Sequence, residues 1–310
     1  PPKGTDAKPF EMLTSLGGQQ LQDFGQRLRQ HYGLLPMEVA ASNYRRTQQS
    51  AQFFLLGYQC GGALESLNAN LEPVLVRDTK DCVINAANRY WDDLLPLLKR
   101  IEVAEKFAAK EEAEGLSDVK EQLNAMPLFG ADGQMPGRFS WLYAWDVLTC
   151  LRAHQELPKL ETLHSLMHLQ PKAAQQVLWR WTKYYEDPEV LRMTSGDLLR
   201  EVSMQMENCT QEDKPAKLVV YSGHDTTLIP VLKALSLWDG TWPSFAAEMR
   251  LELWKMPEAH SGDTWCVRAV GSEVGGVVFC CSLRDFQLRV QQVVSGAGPI
   301  LPPKLWWIEE

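Results

Sequence analysis

Near the start of the chain, apolar residues recur at helical spacing, with Leu16, Leu21, Phe24 and Leu28 forming one stripe. They predict a helix over 14–32, with Thr14 as its N-cap and Gly33 as the residue that closes it. Met37 to Ala40 reads as a short strand. A second helix follows from Arg45 to Tyr58, with Ala51, Phe54 and Leu55 turned inward. Glu72 to Arg77 reads as another short strand. Strand and helix alternate here, as an α/β fold requires.

The middle of the chain changes period. From Asp81 to Asn208 helical spacing dominates. Asp92 to Ala113 predicts one long amphipathic helix stopping at Gly115, with Pro96 tolerable only near its first turn. Phe139 to Glu156 and Ala173 to Tyr185 predict further helices rich in Trp, and Phe129 to Gly137 reads as a loop. The Trp-rich stretches suit helix packing or, alternatively, an apolar groove for a lipid tail. Strands return with Lys217 to Tyr221, an apolar run suited to a buried position. A helix from Thr226 to Leu237 follows, then a hairpin of Met249–Trp254 with Thr264–Val270. The expected organisation is an α/β core from 1–78 and 209–310, with an all-helical cap over 79–208.

Composition narrows the function classes mainly by exclusion. The net charge is −8 and no Lys/Arg block exceeds a pair, which argues against nucleic acid as a partner but not against a small phosphorylated substrate. No apolar run reaches the roughly 18 residues of a membrane span, so no transmembrane segment is expected. Pro1-Pro2-Lys3-Gly4 reads like the interior of a loop, so the chain is expected to be a processed product or a fragment. Seven cysteines without a CxxC pair argue against a zinc site. Asn208-Cys209-Thr210 fits the glycosylation sequon, a pattern short enough to arise by chance. Compartment and oligomeric state stay open.

Candidate chemistry centres on Gly223-His224-Asp225, between a predicted buried strand and a predicted helix. The carboxyl end of a strand in an α/β sheet is the usual place for a ligand, and a helix N-terminus there favours phosphate. His224 is suited to donate a hydrogen bond to a phosphoryl oxygen, and Asp225 to protonate a departing alcohol. The alternative is that Asp225 merely caps the helix. Arg46, near the start of the second helix, is suited to clamp phosphate oxygens, with a solvated surface arginine as the alternative. Arg45 and Arg46 cannot both face one pocket from a helix. His164 and His168 have a metal-compatible spacing but lack the Glu of HExxH, so a surface or core pair is favoured. His31 is placed to favour the C-terminus of the first helix.

Three separated segments resemble the histidine acid phosphatase family, in the family's order. Leu13-Thr14-Ser15-Leu16-Gly17-Gly18-Gln19-Gln20, followed by Gly25, Leu28, Arg29 and Tyr32, is similar to its first long helix. Arg46-Thr47 with Ser50-Ala51 is similar to its second, where one arginine binds phosphate. Tyr221 to Leu228 is similar to its His-Asp segment, where the His contacts phosphate and the Asp is the proton donor. Trp242 to Ala246, Met249 to Trp254, Cys281 to Phe286 and Asp81-Cys82 are similar to the lysophosphatidic acid phosphatase branch. The resemblance implies a phosphoglycerate-mutase-like α/β sandwich with a helical cap, its N-terminal strand missing from this chain. It implies phosphomonoester hydrolysis through a phosphohistidine, without metal or other cofactor, on a substrate such as a lysophospholipid. Arg46 and His224 would then bind phosphate, Asp225 would protonate the leaving oxygen, and Asp146 and His154 would touch substrate from the cap. The family signature Arg-His-Gly-x-Arg-x-Pro, which carries the nucleophile, does not occur in this sequence. Two further readings stand beside hydrolysis: a catalytically silent phosphatase-like protein that binds a phosphorylated ligand, and an unrelated interaction scaffold.

Overall fold

The structure, a computed structural model, describes residues 12–61, 71–78, 80, 82–124, 139–153, 165–211, 215–256, 264–272 and 279–297. The chain forms two compact units, Pro1–Leu94 with Pro188–Glu310, and Leu95–Asp187.

Helix α1 (Ser15–Tyr32) starts where the Thr14 side chain accepts the Gly17 N–H at 3.1 Å. It ends at Gly33, whose φ of 73° suits only a residue without a Cβ. Strand β1 (Met37–Ala41) follows, then α2 (Arg45–Cys60) and β2 (Val74–Val76). Contacts between α1 and α2 climb together: Leu13 N–H bonds Gln49, Gly18 faces Phe53, Gln22 faces Gly57, and Arg29 bonds the Gln59 carbonyl. The two helices therefore run parallel. They touch backbone to backbone, because a Cβ on Gly25 would lie 2.7 Å from the Tyr58 nitrogen, and one on Gly57 would lie 2.8 Å from the Gln22 carbonyl carbon.

A 3-10 turn (Val83–Asn85) leads into α3 (Ala86–Arg89) and α4 (Trp91–Ala104). The long helix expected over 92–113 is two helices. Lys106 takes a left-handed conformation, φ 52°, and α5 (Phe107–Ala113) starts afresh after it. No Gly or Pro marks the break, so periodicity reads straight through it. Because α4 starts at Trp91, Pro96 falls in its second turn rather than its first. Helices α6 (Ser117–Asn124), α7 (Trp141–Ala153) and α8 (Gln170–Tyr184) complete the helical unit. Glu111 ties it together, accepting from Trp141 at 2.8 Å and Lys120 at 3.1 Å and pairing with Arg180. Trp141 and Trp145 are buried there as packing residues. The loop expected over 129–137 lies outside the described residues.

Short helix α9 (Pro188–Leu191) and a π-turn (Arg192–Gly196) lead into α10 (Asp197–Gln211), then β3 (Leu218–Ser222) and α11 (Asp225–Ala234). Strands β2, β1 and β3 form a parallel sheet in that order. Met37, Val39 and Ala41 of β1 face a core with Phe54, Leu55 and Tyr58, whereas Ala40 faces a second core with Ile84, Leu232 and Phe286. Two-sided burial explains why β1 reads as an apolar run with one exposed residue, Glu38. Leu198, Leu199 and Met206 of α10 join that second core.

Strands β4 (Met249–Lys255), β5 (Trp265–Gly271) and β6 (Phe279–Ser282) make an antiparallel sheet, with the expected hairpin pairing Glu252 opposite Arg268. Helix α12 (Leu283–Ser295) is capped by Ser282, whose side chain accepts the Asp285 N–H at 3.0 Å, and buries Phe286, Val290 and Val293.

Candidate active site

Strands β1 and β3 end side by side. Ala41 pairs with Ser222, and the Ser42 N–H bonds the Ser222 carbonyl at 3.2 Å. From these adjacent carboxyl ends the chain turns into α2 and α11, so two helix N-termini open at one end of the sheet. The N-terminal end of a helix carries positive potential suited to an anion. The Ser222 hydroxyl also donates to the Thr47 carbonyl at 2.7 Å, locking the two turns together.

The turn after β3 tolerates little change. A Cβ on Gly223 would meet Ile84 Cγ2 at 2.7 Å and Thr227 Oγ1 at 3.0 Å, so glycine is needed for close approach. His224 is the N-cap of α11, with φ −131° and ψ 165°, and its N–H donates to Thr227 Oγ1 at 3.1 Å. Thr227 in turn donates to the Ile84 carbonyl. Backbone demands thus direct the His224 ring toward α2.

Arg46 reaches the same place from the first turn of α2. Its Nη2 lies 3.4 Å from His224 Nδ1, and its guanidinium sits 4.8 Å from the centre of the Tyr44 ring. The Tyr44 ring meets the His224 ring edge-on at 5.0 Å, and Asn88 donates to the Tyr44 hydroxyl at 2.9 Å. On its far side His224 Nε2 lies 2.9 Å from Ser42 Oγ, which lies 2.8 Å from Thr47 Oγ1. Asp225 is held by two donors: the Thr226 N–H to Oδ1 at 2.7 Å and the Trp242 indole N–H to Oδ2 at 2.9 Å.

Burial, with the Arg46 charge added to it, pulls the His224 imidazole down to about 3. Burial pushes the Asp225 carboxyl above the usual carboxylate range, against the pull of the Thr226 N–H, the Trp242 indole and Arg46. The site therefore pairs a neutral imidazole with a carboxyl that keeps its proton to higher pH, beside a fixed positive charge.

Linkage gives this a stability consequence. An unfolded His224 gains a proton as pH falls through about 6.5, whereas the folded one resists down to about 3. Stability contributed by His224 is thus full above the upper value and declines as pH falls through that window, by at most about 1.4 kcal/mol per pH unit. Asp225 acts with the opposite sign, because the folded state holds that proton more tightly than the unfolded one. Subtracting His224→Gln from the native protein isolates the first effect. Urea midpoints between those pH values should fall less steeply with acid in the variant. Parallel curves would contradict a buried neutral His224.

Arg46, His224 and Asp225 are brought together; Arg45, one residue earlier, is partly buried. Asp146 lies on α7 in the helical unit with an exposed side chain. His154 and His164 lie outside the described residues. His168 bonds the Ser165 carbonyl at 2.7 Å through Nδ1, and His31 is exposed in the last turn of α1. Among the described residues no group of three His, Cys, Asp or Glu side chains is placed to hold a metal. Four site neighbours, Ser42, Tyr44, Thr47 and Trp242, carry no site role that sequence reasoning assigns. Their only signal is proximity to Arg46 or membership of the Trp242-Pro243 stretch.

Residues 4–270 match the model of the histidine phosphatase superfamily, branch 2. The chain is 27% identical over 266 residues to lysophosphatidic acid phosphatase type 6 of Homo sapiens, covering 80% of this chain and 58% of that protein. It is 27% identical over 277 residues to testicular acid phosphatase of Mus musculus, covering 83% of this chain and 63% of that one. It thus spans about three fifths of the length of these curated relatives. In fold it is similar to the phytase of Klebsiella sp. ASR1, with a TM-score of 0.61 at 16% identity over 94% of this chain and 87% of that one. The phosphate complex of Bifidobacterium longum multiple inositol polyphosphate phosphatase gives 0.59 at 11% identity over 91% and 80%. With the family model spanning most of its length, this chain belongs to branch 2 of the histidine phosphatase superfamily.

Proposed function

We propose that this chain carries the phosphate-binding and proton-donating groups of a phosphomonoester hydrolase. One observation carries the reading: Arg46, His224 and Asp225 converge where two adjacent parallel strands end and two helices begin. Arg46 supplies a permanent positive charge for the phosphoryl oxygens, and His224 contacts one of them. Asp225 delivers a proton to the leaving oxygen as the O–P bond breaks, so the departing group leaves as a neutral alcohol. The raised Asp225 carboxyl suits that role on the acid side of neutrality.

A lysophospholipid is the substrate class we infer, supported by the similarity to a protein named lysophosphatidic acid phosphatase. In the reaction form implied by the family resemblance, the phosphoryl group passes to a histidine of the Arg-His-Gly-x-Arg-x-Pro signature and then to water. A second reading, carried by the adjacent Arg46 guanidinium and His224 imidazole, is a protein that binds a phosphorylated ligand without turnover. Hydrolysis of an aryl phosphate at about pH 5, with and without vanadate, separates the two. Vanadate-sensitive turnover supports the hydrolase. Phosphate-induced thermal stabilisation without turnover supports the binder, and neither effect would sink both.

Trp242 offers a test of the proton donor. Its indole N–H favours the ionised Asp225, so Trp242→Phe should let the carboxyl keep its proton to higher pH. Activity requiring protonated Asp225 is lost as pH rises through that value, so the alkaline limb of the pH–rate profile should move upward. A limb that stays put, or moves down, would count against Asp225 as the acid.

A further inference from the structure

Hydrogen-bond direction around His224 can be worked out atom by atom. Arg46 carries only donors, so the 3.4 Å contact from its Nη2 to His224 Nδ1 requires a lone pair on Nδ1. The ring proton then sits on Nε2 and points at Ser42 Oγ, 2.9 Å away. Ser42, acting there as acceptor, sends its own proton to Thr47 Oγ1 at 2.8 Å. Thr47 passes its proton to the Tyr44 carbonyl at 2.8 Å, with the Ser42 carbonyl at 3.1 Å. A carbonyl has no proton to return, so the chain runs one way. Reversing it would set an Nδ1–H against the Arg46 N–H and strip Thr47 of the proton its carbonyl partners use. Both hydroxyls are buried, Ser42 at 0% and Thr47 at 3% exposure, so water does not easily substitute for either.

We propose that Ser42, backed by Thr47, is a positioning residue that fixes the His224 ring as its Nε2–H tautomer and turns Nδ1 toward Arg46 as an acceptor. This rests on the phosphate reading of the site, and it changes what that site takes. Arg46 supplies donors and charge, while Nδ1 accepts one hydrogen. The matching ligand is a phosphate group that still carries one proton: its P–OH takes over the Nδ1 lone pair while the Arg46 N–H turns from Nδ1 to the unprotonated oxygens. The charged or titratable groups near the ring are Arg46, Asp225 on the neighbouring residue and the Tyr44 ring set edge-on. Preference for the singly protonated form of a phosphomonoester, which loses its last proton near neutrality, would bias binding toward acid pH independently of Asp225.

Two measurements on the chain test this. A long-range proton–nitrogen correlation spectrum reads the tautomer, with the His224 signals identified by their loss in His224→Gln. The native protein should show Nε2–H. Ser42→Ala and Thr47→Val should both shift it toward a tautomer mixture and weaken inorganic phosphate binding about tenfold, the size of one hydrogen bond. Thr47→Ser, which keeps the acceptor, should restore the native spectrum and guards against a mere folding defect. Titrations with methylphosphonate, which like a phosphomonoester loses its last proton near neutrality, and with sulfate, which carries no proton in this range, give the second readout. Methylphosphonate should bind at least about tenfold more tightly at acid than at alkaline pH relative to sulfate. An Nδ1–H signal in the native protein, or Ser42→Ala with the native tautomer, would overturn the positioning role. Identical pH profiles for the two anions would overturn the protonated-phosphate preference. If neither anion binds while the tautomer responds as stated, the phosphate reading of the site fails and Ser42 keeps its structural assignment.

Discussion

Asp225→Asn is expected to cut hydrolysis of an alkyl phosphate by about two to four orders of magnitude, the usual range for losing a general acid. The amide has the carboxyl's shape but no proton to give at the moment the O–P bond breaks. An alkyl leaving group needs that proton, because an alkoxide is a poor leaving group. An activated aryl leaving group departs as a stable anion and needs it far less, so its rate should fall much less. Inorganic phosphate should bind the variant nearly as well as the native protein, since Arg46 and His224 remain. The amide keeps one oxygen where Asp225 offers two, to Thr226 and Trp242, so a stability loss of about 1 kcal/mol is expected alongside. Equal rate losses for alkyl and aryl esters would remove Asp225 from the proton-donor role.

Gly25→Ala is expected to lower stability by about 3 kcal/mol, even though alanine is the better helix former. Within an exposed helix the same change would gain roughly 0.5–1 kcal/mol. In α1 the added methyl would overlap the Phe54 carbonyl of α2 and lie 2.7 Å from the Tyr58 nitrogen, neither of which is a flexible side-chain end. Relief requires the helices to part along their shared length, and overpacking of that kind costs about 1–3 kcal/mol or more. The neighbouring positions agree, because Gly57 meets the Gln22 backbone and Gly18 meets the Phe53 ring at 2.9 Å. Gly196→Ala is the control, since its nearest neighbour would be Val294 Cα at 3.7 Å. Urea unfolding should show a large loss for Gly25→Ala and little change for Gly196→Ala. A Gly25→Ala protein as stable as the native one would mean that α1 and α2 are not in backbone contact. The damage would also reach the site, because α2 carries Arg46 and Thr47 in its first turn.

Elements whose hydrophobic pattern and punctuation agree are legible in the sequence. Thr14 and Gly33 bracket α1, and the apolar run before Gly223 marks β3, although its five residues are half-buried rather than buried as the run suggests. The break at Lys106 is not legible, since no residue there demands a left-handed backbone. Strand β6 escapes a periodicity reading because it is only four residues long. Helix α12 is absent from the sequence reading although Phe286, Val290 and Val293 have helical spacing. Helical periodicity also cannot say which core a helix serves. Leu198, Leu199 and Met206 have the same spacing as any cap helix, yet they pack with strand residues Val267 and Ala269.

The sequence by itself determined the residue types of the site: an arginine at the start of a helix, and a His-Asp pair between a strand and a helix. Those follow from short-range rules about strand ends and helix N-termini. It also bore the resemblance that the family match makes plain. Only the tertiary structure decided that these groups meet. Arg46 and His224 are separated by 178 positions, and their contact depends on the register that sets Ala41 beside Ser222. The same register brings Ser42 and Thr47 to the far side of the His224 ring, and folding brings Trp242 to Asp225. Burial at that junction, rather than any residue's own chemistry, lowers the imidazole and raises the carboxyl. Desolvation and hydrogen-bond direction are properties of where a side chain ends up, and no local pattern encodes them.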